Sequence, residues 1–296
     1  MSIPVLVGAP PAKNSITYRG LNINNAADDE ADTYIIEDIS ESPTWQQNLE
    51  PFPDRDGSQT YQPFDLFKMF RVRGWARATS LRKLYDSISA INQKFHPVLA
   101  YNADTSTFNK GYLPLTFNVP TNDTANYATG LIACQYYVQA QRPPIAQDTK
   151  FNGLNARIDF LLRAADPRRY QQTTSSANRT GNGTITCVNT LATYPSYPVI
   201  TIVTSVTAPS GSLTLTRTSP AASGAVTITG SQITTSKTYV LDMQARTFVN
   251  GAIDKIAAIA GGSQFFDLSE GVSNTVTVAG FPADATITVT WLRAFV

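Results

Sequence analysis

Between Asn155 and Leu162 apolar and polar residues alternate. Ala156, Ile158, Phe160 and Leu162 fall on one face, and Arg157, Asp159 and, further on, Arg163 fall mostly on the other. A period of two predicts a strand with one buried side. Pro167 stops it, because proline has no N–H to give to a ladder, and Asp166 to Tyr170 make a compact charged and aromatic corner. The alternation recurs over Lys68–Ala78, with Phe70, Val72 and Ala76 on one side of the chain and Arg71, Arg73, Trp75 and Arg77 on the other. Ser15–Ile23 (broken at Gly20), Thr33–Ile39, Gly111–Val119, Leu131–Gln139 and a run from Leu154 complete the predicted strands. One stretch has a different period. Leu81, Leu84, Ile88, Ile91 and Phe95 recur at three and four residues, which predicts one helix over Thr79–Phe95. Thr79 or Ser80 can cap its first N–H groups, and Pro97 should end it. A single apolar stripe must lie on strands, so the first domain is expected to be α+β, mostly β with one packed helix.

Beyond Tyr170 the pattern changes. Thr173–Gly183 is rich in Ser, Thr, Asn and Gly and is expected to be a linker, dividing the chain into domains 1–172 and 173–296. The remainder of the chain is short alternating strands with turns between them: Val199–Val206, Gly211–Arg217, Ala225–Ile228, Tyr239–Val249, Asn274–Ala279 and Ala285–Arg293. Asn250-Gly251 marks a tight turn. Strands at this density predict an all-β antiparallel sandwich. Ile287, Val289 and Trp291 share a face of the last strand, so Trp291 is expected in the core.

Composition narrows the function. The 296 residues can hold two cored domains. The net charge of +1 singles out neither nucleic acid nor an acidic membrane. Residues 1–170 hold 17 of the 23 Lys+Arg and 17 of the 22 Asp+Glu, so the charged surface belongs to the first domain. Three arginines and a tryptophan on one strand face could read as a nucleic-acid surface, but the neutral total favours a solvated or subunit-facing strand. Cys134 and Cys187 are expected to be buried free thiols of a protein made in a reducing cytoplasm. No signal peptide is expected in Met1–Gly8, and no stretch has the length of a membrane span. Asp54-Arg55-Asp56-Gly57 could begin a calcium loop, but the other ligands are missing and a turn is the better reading. Asn178-Arg179-Thr180 and Asn182-Gly183-Thr184 fit the glycosylation pattern by chance. His96, the only histidine, has no Ser, Cys or metal-ligand motif pointing to it. No catalytic, cofactor-binding or metal-binding residue is expected.

The strand ending in Ala165-Asp166-Pro167-Arg168-Arg169-Tyr170 resembles the distal tail proteins of long-tailed bacteriophages, where such a motif closes a ring-forming belt domain. The order of strands and helix before it is similar to that domain. Asp242–Gly251, Phe265-Phe266-Asp267-Leu268 with Gly271 and Asn274, and the closing strand from Ala285 resemble the galectin-like or jelly-roll domain of the same proteins. The resemblance implies a virion protein at the distal end of a phage tail, made in the host bacterial cytoplasm. It implies six copies in a ring that joins the tail tube protein to hub or fibre proteins, with DNA passing the channel without specific binding. Two other readings stay open. One is a carbohydrate-binding adhesin that takes a host-surface glycan on the second domain, where Tyr194, Tyr197 and Tyr239 are available but nothing fixes them in one place and core or loop-packing roles suit them better. The other is a glycosidase with paired carboxylates, although no pairing motif is visible.

Overall fold

The computed structural model describes residues 15–24, 33–46, 49–51, 58–60, 64–104, 111–141, 145–147, 154–218 and 224–295. The Asp54–Gly57 turn, Met1–Gly8 and the Pro143-Pro144 break lie outside them. The chain divides into two units, Met1–Arg169 and Tyr170–Val296.

The first unit holds strands β1 (Thr17–Tyr18), β2 (Leu21–Asn22), β3 (Thr33–Gln46), β4 (Leu49–Pro51), β5 (Ser58–Thr60), β6 (Phe64–Arg77), β7 (Leu113–Pro120), β8 (Leu131–Ala140), β9 (Ile145–Gln147) and β10 (Asn155–Ala164), and helices α1 (Leu81–Lys94) and α2 (Pro97–Ala103). Its main sheet is antiparallel in the order β8-β10-β6-β3, extended by β7 and β1 beyond β8. β9 also pairs with β10, and β4 pairs with β5. The alternating residues read from the sequence do what the pattern requires. Phe70, Val72, Ala76, Ala156, Ile158, Phe160 and Leu162 are all buried in one core.

That core is closed by α1, which packs on β6 and β10. Ser80 caps it, its hydroxyl oxygen accepting from the Lys83 N–H at 3.3 Å. Leu84, Ile91 and Phe95 are buried and Ile88 packs against them, but Leu81, in the first turn, is 53% exposed. Ser87 takes a buried position on the same face. Its hydroxyl donates to the Lys83 carbonyl, and its own carbonyl accepts from the Tyr34 hydroxyl at 2.9 Å, which ties α1 to β3. Phe95 lies between Tyr18, stacked on it with ring centroids 4.4 Å apart, and Phe160, tilted against it at 4.6 Å. Pro97 does more than end the helix. It opens α2, with His96 as the N-cap, because proline's missing N–H is no loss at a first helical position.

The second unit holds β11 (Arg169–Thr180, its first residue at the boundary), β12 (Gly183–Val188), β13 (Val199–Val203), β14 (Ser212–Thr218), β15 (Gly224–Thr229), β16 (Thr238–Asp242), β17 (Thr247–Asn250), β18 (Ile253–Asp254), β19 (Ser273–Ala279) and β20 (Thr286–Phe295). One antiparallel sheet runs β18-β17-β16-β13-β20-β11, the other β12-β19-β14-β15. Their inner faces share one core, with Leu213, Leu215, Val276 and Val278 from one sheet and Ile200, Leu241, Phe248, Ile287 and Trp291 from the other. This is the expected sandwich.

Two local expectations are corrected. Thr173–Gly183 is not a linker, since most of it is β11, paired with β20; the Gly181 N–H donates to the Ala285 carbonyl at 2.8 Å. β-branched threonines suit a strand as well as a loop when one face meets water. Tyr239–Val249 is not one strand but the hairpin β16–β17. Asp242 Oδ1 accepts the N–H groups of Gln244 and Ala245, each at 2.9 Å, and turns the chain.

Candidate assembly surface

The first-unit sheet has a second face, directed away from its core. Register fixes what shares it. Arg157 is opposite Trp75, Asp159 opposite Arg73, Leu161 opposite Arg71 and Arg163 opposite Met69. On the other side of β6, Ile35 is opposite Trp75. The sequence showed the arginines of β6 as one face. It could not show that Arg157 and Arg163 of β10 join them, because cross-strand register is not a local property.

The electrostatics of this face are uneven. Arg71 donates Nε to Asp159 Oδ1 at 3.0 Å and Nη2 to Oδ2 at 2.6 Å, a two-pronged pair. Arg71 is 44% exposed and Asp159 16%, so water weakens the pair. Arg163 lies over the Phe67 ring, 4.4 Å from its centroid. A bulge between Ile36 and Asp38 sets Glu37 apart from the β3 ladder, and Glu37 accepts the Trp75 indole N–H. Gly74 sits at this bulge, where a Cβ would come 2.1 Å from the Ile35 carbonyl oxygen. Only glycine lets the two backbones approach so closely.

At the end of the unit Asp166 explains its own motif. It accepts the Arg168 backbone N–H at 3.1 Å, and Arg168 Nε and Nη2 at 2.7 and 2.6 Å. The pair is nearly covered, so it acts as a rigid corner.

The residues weighed for chemistry do not converge. His96 stands at the N-cap position of α2 without a side-chain capping bond, and its Nδ1 is buried with no hydrogen-bond partner among the described residues. Among the described residues no group of His, Cys, Asp and Glu could hold a metal ion. Both cysteines are free and buried. Burial pushes the Cys134 thiol up to about 11, against a lowering from Arg169, and the Cys187 thiol up to about 12. Neither is a nucleophile at neutral pH. In the second unit Tyr239 is in the core, its hydroxyl accepting the Thr234 N–H at 2.8 Å and its ring stacked on Phe248. It is therefore no sugar platform. Tyr194 and Tyr197 lie on the connection between β12 and β13. Trp291 is in the core, 4% exposed.

Among solved structures the chain is similar to the Dit (gp 19.1) protein of SPP1, described as a paradigm of the hub adsorption apparatus in phages that infect Gram-positive bacteria. The TM-score is 0.63 at 13% identity, over 96% of this chain and 99% of that one. The fold is that of a Dit protein. The Dit resemblance read at Ala165–Tyr170 therefore holds for the fold across both units. Two structures of the phage p2 baseplate in its activated conformation, with strontium and with calcium, are more distant. They give TM-scores of 0.43 and 0.41 at 6% identity, over 86% and 85% of this chain and 89% and 90% of theirs. No family model matches the sequence, and no curated protein does either.

Proposed function

We propose that the protein is a structural component of a phage tail tip, a Dit protein whose first unit forms a ring between the tail tube and the host-recognition hub. The observation that carries the reading is the likeness of fold to SPP1 Dit over 96% of the chain. The sheet itself supports it. β3 ends the strand order of the first unit and pairs, among the described residues, only with β6. A long open edge is a liability in a free protein, and a neighbouring subunit in a closed ring covers it. Six copies follow from the resemblance alone. The sandwich, galectin-like in this reading, decorates the ring. The ring-forming domain in this reading is 1–172 and the sandwich 173–296, and the parting of the two units at Arg169 and Tyr170 supports that division. The protein acts as a scaffold and performs no chemistry, and His96, Cys134 and Cys187 are structural. Negative-stain electron microscopy of the full-length protein with its tail partners should give closed rings. A strict monomer in intact particles would overturn the proposal.

A further inference from the structure

Three arginines neighbour one tryptophan on the outer face of the first-unit sheet. Arg73 and Arg77 flank Trp75 two positions away on β6, and Arg157 is directly opposite it on β10. Side chains so related are about 5–8 Å apart at Cβ, and like charges at that range repel. Arg71 has Asp159 to neutralise it. Among the described residues Arg73, Arg77 and Arg157 have no ion-pair partner, while Arg77 and Arg157 are exposed. Glu37, beside them, is engaged by the Trp75 indole. Arginines without an ion pair around a half-buried aromatic ring, their nearby carboxylates Asp159 and Glu37 already engaged by Arg71 and Trp75, are the composition of an anchor for an anionic partner.

We propose that the cluster of Arg73, Trp75, Arg77 and Arg157 docks a partner protein through that partner's Asp and Glu side chains. This rests on the tail-tip reading and names the chemistry of a neighbour. Three observations favour protein carboxylates over a nucleic-acid backbone. Asp159 and Glu37 share the face and would repel a continuous chain of phosphates, whereas carboxylates on a protein surface can be spaced to avoid them. The net charge of +1 supplies no long-range attraction for a polyanion. Ile35, Met69 and Leu161, half-buried between the arginines, give apolar contact to a protein side chain. The flat fork of guanidinium matches a carboxylate with two parallel hydrogen bonds.

The test is fluorescence anisotropy of a short labelled peptide of alternating Glu and Val, titrated with the full-length protein. A labelled poly-dT oligonucleotide is run beside it. The peptide should bind, bind more weakly as salt is raised, and lose about tenfold or more in affinity to the double variant Arg77→Glu, Arg157→Glu. The milder Arg157→Gln should fall between. Both positions are exposed, and removing repulsion should leave the melting temperature unchanged or raised, which shows that the variants fold. Three results would each overturn the proposal: no peptide binding, affinity unchanged in the double variant, or tighter binding of poly-dT than of peptide. Electron micrographs of the same samples report on the ring separately. Absent rings with intact, arginine-dependent peptide binding would count against the tail-tip ring and leave the docking site standing.

Discussion

Trp291 lies beside Ile287 and Val289 in the sandwich core, and its indole N–H finds no acceptor among the described residues. Its contribution is packing alone. Trp291→Ala should destabilise the protein by about 3–5 kcal/mol, as large-to-small core changes do, and thermal denaturation of the full-length chain will read it. An unshifted transition would return Trp291 to the surface and revive the adhesin. Core polar residues work differently. Asn189 donates to the Ser196 hydroxyl and to the Leu268 and Ser269 carbonyls, and Asn274 accepts the Ser269 N–H. Arg217, 4% exposed, grips Asp267 at 2.6 Å. These groups pin the 267–274 segment, and losing any one strands buried partners. The thiols carry a pH signature. Cys134 and Cys187 keep their protons more tightly in the fold than at their ordinary value of 9.0. The stability this difference supplies is complete below about pH 9 and fades as pH rises towards about 12. Denaturant midpoints should hold up to about pH 9 and then fall, and Cys187→Val should flatten the fall. An identical decline in the variant would assign it elsewhere.

Among the elements, β11 shows why reading a strand from sequence has limits. Thr173–Thr180 carries few apolar residues, and only pairing with β20 reveals it as a strand. Limited proteolysis of the folded protein should therefore spare 173–180, since ladder hydrogen bonds hold its backbone. Prompt cutting there would restore the linker reading. Legible elements were those with a buried side written into their own residues: β6, β8, β10, β20 and α1. α2 escaped notice because a helix of seven residues that begins on a proline carries too few positions to set a period. The hairpin of β16 and β17 was merged because Asp242, which makes the turn, lies within an apolar run. The candidate assembly face was half legible. β6 displayed Arg71, Arg73, Trp75 and Arg77, but the neighbouring Arg157 and the bulge that brings Glu37 to the indole belong to strand pairing, which no single segment encodes.

At the scale of the molecule, two separate cores make two units that can fold one after the other. The pairing of β11 with β20 adds a constraint of timing. Thr180 and Thr286 stand within 3.4 Å across that pair although 106 residues separate them. β13 also depends on β20, which fills the place between it and β11. A chain ending at Ala279 should therefore keep a protease-resistant first unit while its second unit binds hydrophobic dyes and aggregates; a soluble, protected second unit would contradict this. On the ribosome the same dependence makes a waiting period. The first unit can complete itself while the sandwich is still being translated, but the strand that opens the sandwich must stay unpaired until the strand that closes it has emerged. Throughout synthesis the nascent second unit exposes open sheet edges, and wherever many copies are translated close together such edges can meet.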